Sequence, residues 1–294
     1  MKKIFVLISI LMMSVQAFSL KIEGKKVVDN QGNKVALKEY SKIILIDPAV
    51  VEIVYMIGGE ENIVAIANTM NQDIWPMEKT KRIPSVGTLY KPSIEKIISY
   101  KPDLVIINPM ISDFGKSLKE RGIPYLINNG DSFEEILDNV KIYGKLTGKA
   151  ERSNTVAVEY REKLNAVEKK LEKNPLGYKG AFLFSTSPMM AFNSKSLPGQ
   201  VFEILGIENI TDNLKGGRPI LSPEYLISQN PDILLGAMGI KGKEDILNSS
   251  PFVMETTAGK KGNVAIVESS KILRPTPRII DTVGELYEEL SSWK

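Results

Sequence analysis

An internal repeat constrains the architecture of this chain more than any other feature of its sequence. Residues 93–105, SIEKIISYKPDLV, align without gaps with residues 222–234, SPEYLISQNPDIL, and six of the 13 positions are identical. The offset of 129 residues far exceeds the periods of about 20–50 residues that solenoids use. The 294 residues of the chain are enough for two domains of roughly 150 residues each. The repeat therefore predicts two similar lobes.

Each copy of the repeat has the pattern of a short helix that leads into a strand. Ser93 and Ser222 are suited to cap a helix, and Pro223 takes the favoured first helical position. Glu95 and Glu224 then fall in the first turn, where the helix dipole favours a carboxylate. This local electrostatic role explains both glutamates without any partner, so it stands as one of two interpretations.

The rest of the chain alternates short apolar runs with longer helical patterns, which is typical of parallel α/β sheets. A hairpin is expected over residues 21–36. The predicted strands are residues 42–46, 63–66, 104–107, 125–127, 181–184, 233–235 and 264–267.

A long helix is predicted over residues 149–173, after a helix that begins at Ser132 and ends near Gly148. One apolar stripe runs along it at spacings of three and four, formed by Val156, Tyr160, Leu164, Val167 and Leu171. Twenty-five helical residues span roughly 37 Å at the usual rise per residue. That length suits a strut between two lobes, and the alternative is an ordinary packing helix in one large domain.

The N-terminus has the pattern of a secretory signal peptide. Lys2 and Lys3 precede an apolar run over residues 4–15, and Val15-Gln16-Ala17 is a small-residue cleavage pattern. A membrane anchor or a buried helix are the alternatives, although the run is short for spanning a bilayer, which takes about 20 residues. We expect export to the periplasm, removal of residues 1–17, an N-terminal lobe over 18–148, a connecting helix over 149–173 and a C-terminal lobe over 174–294.

Two residue types are absent from the sequence, which has no cysteine and no histidine. Disulfides, thiol catalysis, a lipid-bearing N-terminal cysteine, Ser-His-Asp triads and the common zinc sites are therefore excluded. The formal net charge of +3 comes from 38 basic and 35 acidic residues. This even balance does not favour nucleic acid as a partner.

Several segments together resemble the periplasmic binding proteins that serve importers of ferric siderophores, haem and vitamin B12. They are Val86-Gly87, Pro92–Ile97, Lys101–Ile106, Leu205–Ile210, Ser222–Leu235 and Arg274–Arg278. The resemblance implies an α/β fold in which two Rossmann-like lobes are joined by a single long α-helix. It also implies a second interpretation of Glu95 and Glu224, one in each lobe, as the residues that dock on arginines of an ABC permease dimer.

The ligand site is expected between the lobes, because ligands of doubly wound sheets bind beyond the carboxyl ends of the strands. Tyr90 and Arg218 rank first, since each stands just before a copy of the repeated helix. A phenol can stack or donate a hydrogen bond, and a guanidinium can pair with an anionic oxygen. The remaining candidates are Trp75, Met110, Phe192 and Met238, with Lys91 and Arg274 as further cations. Each could instead be a packing or solvated residue.

A ferric siderophore is the predicted ligand, because such an iron chelate brings its own oxygen ligands and asks only for basic and aromatic groups. Haem, cobalamin or an oxyanion are the alternatives within the same transport class. We expect a monomer without a resident cofactor or metal site, and not an enzyme. An exported hydrolase is the distant alternative, and without histidine or cysteine it would need Ser-Lys chemistry or a carboxylate pair.

Overall fold

The computed structural model describes residues 19–70 and 72–294, so the predicted signal peptide, residues 1–17, lies outside the described residues. The strands, in chain order, are β1 Leu20–Glu23, β2 Lys26–Asp29, β3 Lys34–Ala36, β4 Ile43–Leu45, β5 Ile63–Asn68, β6 Ser85–Thr88, β7 Lys91–Pro92, β8 Leu104–Ile107, β9 Tyr125–Ile127, β10 Lys179–Thr186, β11 Met189–Phe192, β12 Glu208–Asn209, β13 Ile233–Gly236 and β14 Val264–Ile266.

The α-helices are α1 Pro48–Met56, α2 Met77–Thr80, α3 Ile94–Ser99, α4 Phe114–Lys119, α5 Phe133–Leu146, α6 Ala150–Lys173, α7 Leu197–Ile204, α8 Pro223–Gln229, α9 Lys243–Leu247, α10 Thr257–Lys261, α11 Ser269–Ile272 and α12 Arg278–Ser291. Short 3-10 turns cover Glu60–Asn62, Pro109–Ile111 and Pro251–Glu255.

The N-terminal lobe is built on a six-stranded sheet in the order β7-β6-β5-β4-β8-β9. Its strands are parallel except for β7, which pairs antiparallel with β6. The chain reverses its direction of winding between β4 and β8, which is where doubly wound sheets open a ligand crevice. The predicted hairpin forms as β2 and β3, and β1 extends it to a three-stranded antiparallel sheet.

The C-terminal lobe is built on β10, β13 and β14, which are parallel and adjacent. Strands β11 and β12 both pair with the outer side of β10, β11 antiparallel and β12 parallel. Every residue of β8 and of β13 is buried. Strands buried on both faces read as continuous apolar runs, and this explains why all seven predicted strands are confirmed to within two residues at each end.

The two copies of the repeat adopt matching backbones. Lys101 and Asn230 end their helices with positive φ, 48° and 44°, a conformation uncommon for residues other than glycine. The carboxylate of Asp103 accepts from the main-chain N–H groups of Ser41 and Lys42, both at 3.0 Å. Asp232 accepts in the same way from the N–H of Lys179 at 2.9 Å. Each Pro-Asp therefore fixes the start of the central strand of its lobe, and the prediction of two similar lobes is confirmed.

Helix α6 joins the lobes and packs against α5 of the first lobe and α12 of the second. The predicted stripe is its contact face, since Val156, Tyr160, Leu164 and Val167 are buried and Leu171 is half-buried. Tyr160 donates to Asp281 of α12 at 3.0 Å. The fold class is therefore confirmed as α/β with two Rossmann-like lobes and one long connecting helix.

Within residues 19–70 and 72–294, the structure contains no helix that combines the length and the apolar character needed to cross a membrane.

Candidate functional site in the interlobe cleft

The carboxyl edge of the N-lobe sheet faces the C-terminal lobe. Asp131, four residues beyond β9, accepts a hydrogen bond on its main-chain oxygen from the amide of Gln200 on α7. Pro275 packs against Gly130 so closely that a Cβ added to Gly130 would lie 2.8 Å from the Cβ of Pro275. The two lobes are therefore in contact beside β9, at the carboxyl edge of the N-lobe sheet, and the space between them at this edge is the candidate cleft.

A buried ion pair joins the lobes on the side of α1. Glu52 lies on α1 with none of its surface exposed, and each of its carboxylate oxygens faces a different arginine of the C-terminal lobe. Arg274 donates to Oε1, and Arg278 donates to Oε2 at 2.8 Å. Two guanidinium groups on one carboxylate satisfy both oxygens, which is the condition under which a buried ion pair compensates for its loss of hydration.

Arg274 also supports the loop that follows β5 in the N-terminal lobe. Its Nη1 donates to the main-chain oxygen of Asp73 at 2.8 Å, and its Nη2 lies 3.4 Å from Oε1 of Gln72. The side chain is 7% exposed. The guanidinium is therefore engaged inside the protein, so Arg274 holds the cleft loop in place and is not the free cation that the sequence suggested.

Asp47 is buried two residues beyond β4, at the point where the winding of the N-lobe sheet reverses, and we call it the floor of the candidate cleft. Its buried carboxylate accepts from the N–H of Ala49 at 2.8 Å and from the side-chain amides of Asn108 at 3.1 Å and Asn128 at 3.0 Å. Burial raises the pKa of Asp47, and these hydrogen bonds oppose the rise. Tyr143 donates to Asn128 at 2.7 Å, which fixes the amide from the other side.

Tyr90 and Met110, two candidates from the N-terminal lobe, lie close together beyond the carboxyl ends of β6 and β8, and we call this pair the N-lobe rim. Tyr90 stands in the turn between β6 and β7 with 57% of its surface exposed, and its hydroxyl lies 3.9 Å from the sulfur of Met110. Met110 follows β8 and is 65% exposed. The main-chain N–H of Met110 donates to the side chain of Asn108, one of the amides on Asp47, at 3.0 Å. The rim is thus tied to the buried floor beneath it.

Arg218 and Met238 are exposed candidates of the C-terminal lobe, and we call them the C-lobe rim. The guanidinium of Arg218 lies 5.7 Å from the centre of the Phe184 ring, within the range of a cation–π contact. Phe184 in turn packs on Phe192 at 4.8 Å between ring centres, and Phe192 is buried. Phe192 therefore supports Phe184 from below. The sequence did not single out Phe184.

Met238 follows β13 and is held in an unusual conformation. Its φ is +61°, a strained backbone angle for a residue other than glycine. Its main-chain N–H donates to the hydroxyl of Ser269 at 2.8 Å. The side chain is about half exposed. Backbone strain of this kind is concentrated at binding sites.

Trp75 lies apart from these rim residues in its contacts. Its ring centre is 5.6 Å from the guanidinium of Arg278, and it lines a cavity of about 660 Å³ beside α6 and α12. The lining of that cavity includes none of the other predicted ligand residues. The described residues contain no group of three or more Asp or Glu side chains that could hold a metal ion.

Glu95 and Glu224 are exposed at equivalent positions of α3 and α8. Each carboxylate receives the N–H of its own residue and the hydroxyl of the capping serine, Ser93 or Ser222. These hydrogen bonds, the main-chain one first, lower the pKa of both glutamates. The two lobes therefore present a matched pair of anions.

Comparison with known proteins places this architecture in a family. The family of periplasmic binding proteins matches residues 43–270, well over half of the chain. The vitamin B12-binding protein of Vibrio campbellii is 27% identical over 199 residues, which cover 67% of this chain and 70% of that protein.

Solved structures show the same fold. The periplasmic haem-binding protein RhuT from Roseiflexus has a TM-score of 0.74 at 21% identity, over 87% of this chain and 99% of that one. The ABC-type Fe3+-hydroxamate transport system from Saccharomonospora viridis has a TM-score of 0.68 at 21% identity, over 88% and 95%.

The chain belongs to the periplasmic binding protein family. It is a substrate-binding protein of the ABC importers. The members of this family work in transport, outside the cytoplasmic membrane, and not as enzymes.

The interlobe ion pair gives a direct prediction for stability. We expect Glu52→Gln to lower the free energy of unfolding by about 3–5 kcal/mol, because it leaves the buried guanidinium of Arg274 and the partly buried one of Arg278 without an anion. Urea denaturation followed by tryptophan fluorescence measures the change. The control is Glu285→Gln, which breaks the exposed pair with Lys271 at 3.2 Å and should cost less than about 1 kcal/mol. Equal effects of the two variants would contradict the role given to Glu52.

Proposed function

We propose that this protein captures a ferric siderophore between its lobes and delivers it to an ABC permease. The observation that carries the proposal is the chemistry of the two rims. Tyr90 with Met110 offers an exposed phenol and thioether on one lobe, and Arg218 on Phe184 offers a cation backed by an aromatic ring on the other. An anionic chelate with aromatic iron-binding groups matches this combination.

The arrangement of Arg218 favours an anionic ligand in particular. A guanidinium in cation–π contact with a ring can still offer its N–H donors to a planar oxygen pair. In this site Arg218 is exposed, and its position is supported through Phe184 by the buried Phe192. The ligand's own donors would complete the coordination of its iron, so the site needs no metal-ligating side chains.

Cobalamin is the second candidate, favoured by the relative from Vibrio campbellii, which is a vitamin B12-binding protein. Met110 and Met238 supply exposed, adaptable thioethers on the two rims. Such adaptable side chains can contact the broad corrin ring of cobalamin as well as a chelate, so the charge dependence of binding has to separate the two candidates.

Export of the chain is part of the proposal. The family works outside the cytoplasmic membrane, and we infer that residues 1–17 are the signal peptide that directs this chain there. We likewise assign residues 18–148 and 174–294 to the two lobes and 149–173 to the connecting helix. N-terminal sequencing of the protein recovered from the periplasm tests the cleavage site.

Binding of a defined panel tests the ligand. We expect native mass spectrometry and tryptophan quenching to detect a one-to-one complex with ferric enterobactin, and not with haemin, cyanocobalamin or molybdate. Arg218→Ala and Tyr90→Ala should each weaken that complex by about tenfold, which corresponds to the loss of one good contact. Arg152→Ala, on the exposed face of α6, serves as the control. A cyanocobalamin complex would replace the ligand, and binding unaffected by both variants would remove the site.

We also propose that Glu95 and Glu224 dock on basic side chains of the permease dimer, one from each lobe. Their lowered pKa values keep both carboxylates ionised down through the range in which an ordinary glutamate, with a pKa of about 4.3, begins to be protonated. An anion at the edge of a protein–protein interface mainly steers association and orients the partner. The matched positions on α3 and α8 supply the two anchors that a two-fold partner requires.

Docking should therefore be insensitive to pH between about pH 8 and about pH 5.5 and weaken only as the pH falls through the lowered pKa values. The measurement is binding to the permease dimer from the same organism, held in lipid nanodiscs. Glu95→Gln and Glu224→Gln should each slow association and flatten its dependence on salt. The residual pH dependence of the double variant reports the groups of the permease itself. Docking by the double variant that equals that of the unaltered protein would contradict the proposal.

A further inference from the structure

Four of the six identical positions in the repeat have a task inside the fold. Ser93 accepts from the N–H of Lys96 at 3.2 Å, and Ser222 accepts from the N–H of Tyr225 at 3.2 Å, so both serines cap their helices. The Pro-Asp pairs end the helices and fix the starts of β4 and β10, as described above.

The second pair of identical serines is also used internally. The hydroxyl of Ser99 donates to the main-chain oxygen of Lys96 at 2.7 Å, and that of Ser228 donates to the oxygen of Tyr225 at 2.8 Å. Neither hydroxyl needs an outside partner, since each already completes the last turn of its helix.

The two identical positions that remain are exposed in both lobes. They are the glutamate, Glu95 or Glu224, and an isoleucine, Ile98 or Ile227. Ile98 is 45% exposed and Ile227 is 38% exposed. Glutamate and isoleucine are three residues apart, a spacing that puts them on one face of a helix. Each lobe therefore presents an anion and an aliphatic side chain next to each other on the same short helix.

A single exposed isoleucine requires no explanation. The same isoleucine at the same position of two lobes, beside the same carboxylate, indicates a contact that is made twice. We propose that Ile98 and Ile227 form the apolar half of the permease-docking face, each packing into an apolar hollow beside the basic side chain that meets its neighbouring glutamate. This inference rests on the docking role proposed for Glu95 and Glu224.

The partner that fits this face is a two-fold pair of membrane subunits, each with a cation and an apolar hollow side by side. The two halves of the contact differ in their response to salt. An ion pair at an exposed rim is screened by salt, whereas burial of an aliphatic side chain is not. Loss of the isoleucine should thus weaken docking at every salt concentration, and loss of the glutamate should change the salt dependence itself.

The test uses the full-length mature protein and the permease dimer of the same organism in lipid nanodiscs, with binding followed by biolayer interferometry over a range of salt. Ile98→Asn and Ile227→Asn should each weaken docking by about five- to tenfold and leave the salt slope unchanged. The control is Val158→Asn, since Val158 is 55% exposed on α6 and lies outside both copies of the repeat. The urea midpoint of each variant verifies the fold, and Ile98→Ala with Ile227→Ala repeats the test with a smaller change.

The outcomes separate this inference from the function on which it rests. Weakened docking by both isoleucine variants, with Val158→Asn unaffected, supports the apolar contact. If the isoleucine variants dock like Val158→Asn while Glu95→Gln and Glu224→Gln are impaired, the inference is wrong and the docking glutamates stand. If the glutamate variants also dock normally, the docking face itself is wrong, and the inference fails with it.

Discussion

The structure depends on one carboxylate. Glu52 is fully buried in α1 and accepts hydrogen bonds from Arg278, the first residue of α12, and from Arg274, four residues before it. Both arginines lie more than 220 residues later in the chain. The same Arg274 holds the loop after β5 by the main-chain oxygen of Asp73. Lobe orientation and the shape of a cleft loop are therefore set by one ionic cluster. Helix α6 reinforces it, since Asp281 of α12 receives both Tyr160 and Lys163 of α6.

The geometry of the candidate cleft follows from this ionic cluster. The carboxyl edge of the N-lobe sheet is held against the other lobe at Asp131 and Gly130, and α1 is held there through Glu52. Asp47 is buried at the same edge, and the rim residues Met110 and Arg218 are supported through Asn108 and Phe184. These two exposed rim residues are therefore attached to buried or partly buried side chains of their own lobes. Helices α3 and α8 carry the exposed carboxylates of Glu95 and Glu224, one on each lobe.

Much of the fold could be predicted from the sequence, because its strands are apolar runs and its long helix has a regular stripe. Strands β6, β7 and β12 could not, since Ser85–Thr88 has no apolar run and the other two are two residues long, and β11 was missed although Met189–Phe192 is apolar. The repeat predicted the two lobes because each of its Pro-Asp pairs fixes the start of a strand in its own lobe. The partner of Arg218 escaped prediction because β10 has an irregularity between Leu183 and Ser185, which breaks the alternation that would have located Phe184.

The ion pair of Glu52 with Arg274 and Arg278 was missed for a different reason. Glu52 is a single charge within the apolar run of α1, PAVVEIVYM, and a lone charge in such a helix is a signal of a buried pair. Nothing in the local sequence points to Arg274 and Arg278, because their proximity arises only when the two lobes assemble around α6. Long-range pairing between lobes is the part of a site that local patterns cannot contain, whereas rim residues such as Tyr90 are placed by their own strands.

A distance measurement between the lobes tests the central role of Glu52 most directly. The chain has no cysteine, so introduced cysteines can be labelled selectively. Lys119→Cys and Lys241→Cys, at exposed positions in different lobes, can each take a spin label for distance measurement by pulsed electron paramagnetic resonance. The account predicts one narrow distance distribution for the labelled protein and a clearly broader one after Glu52→Gln. A broad distribution with Glu52 in place, or an equally narrow one without it, would contradict the claim that this ion pair sets the cleft.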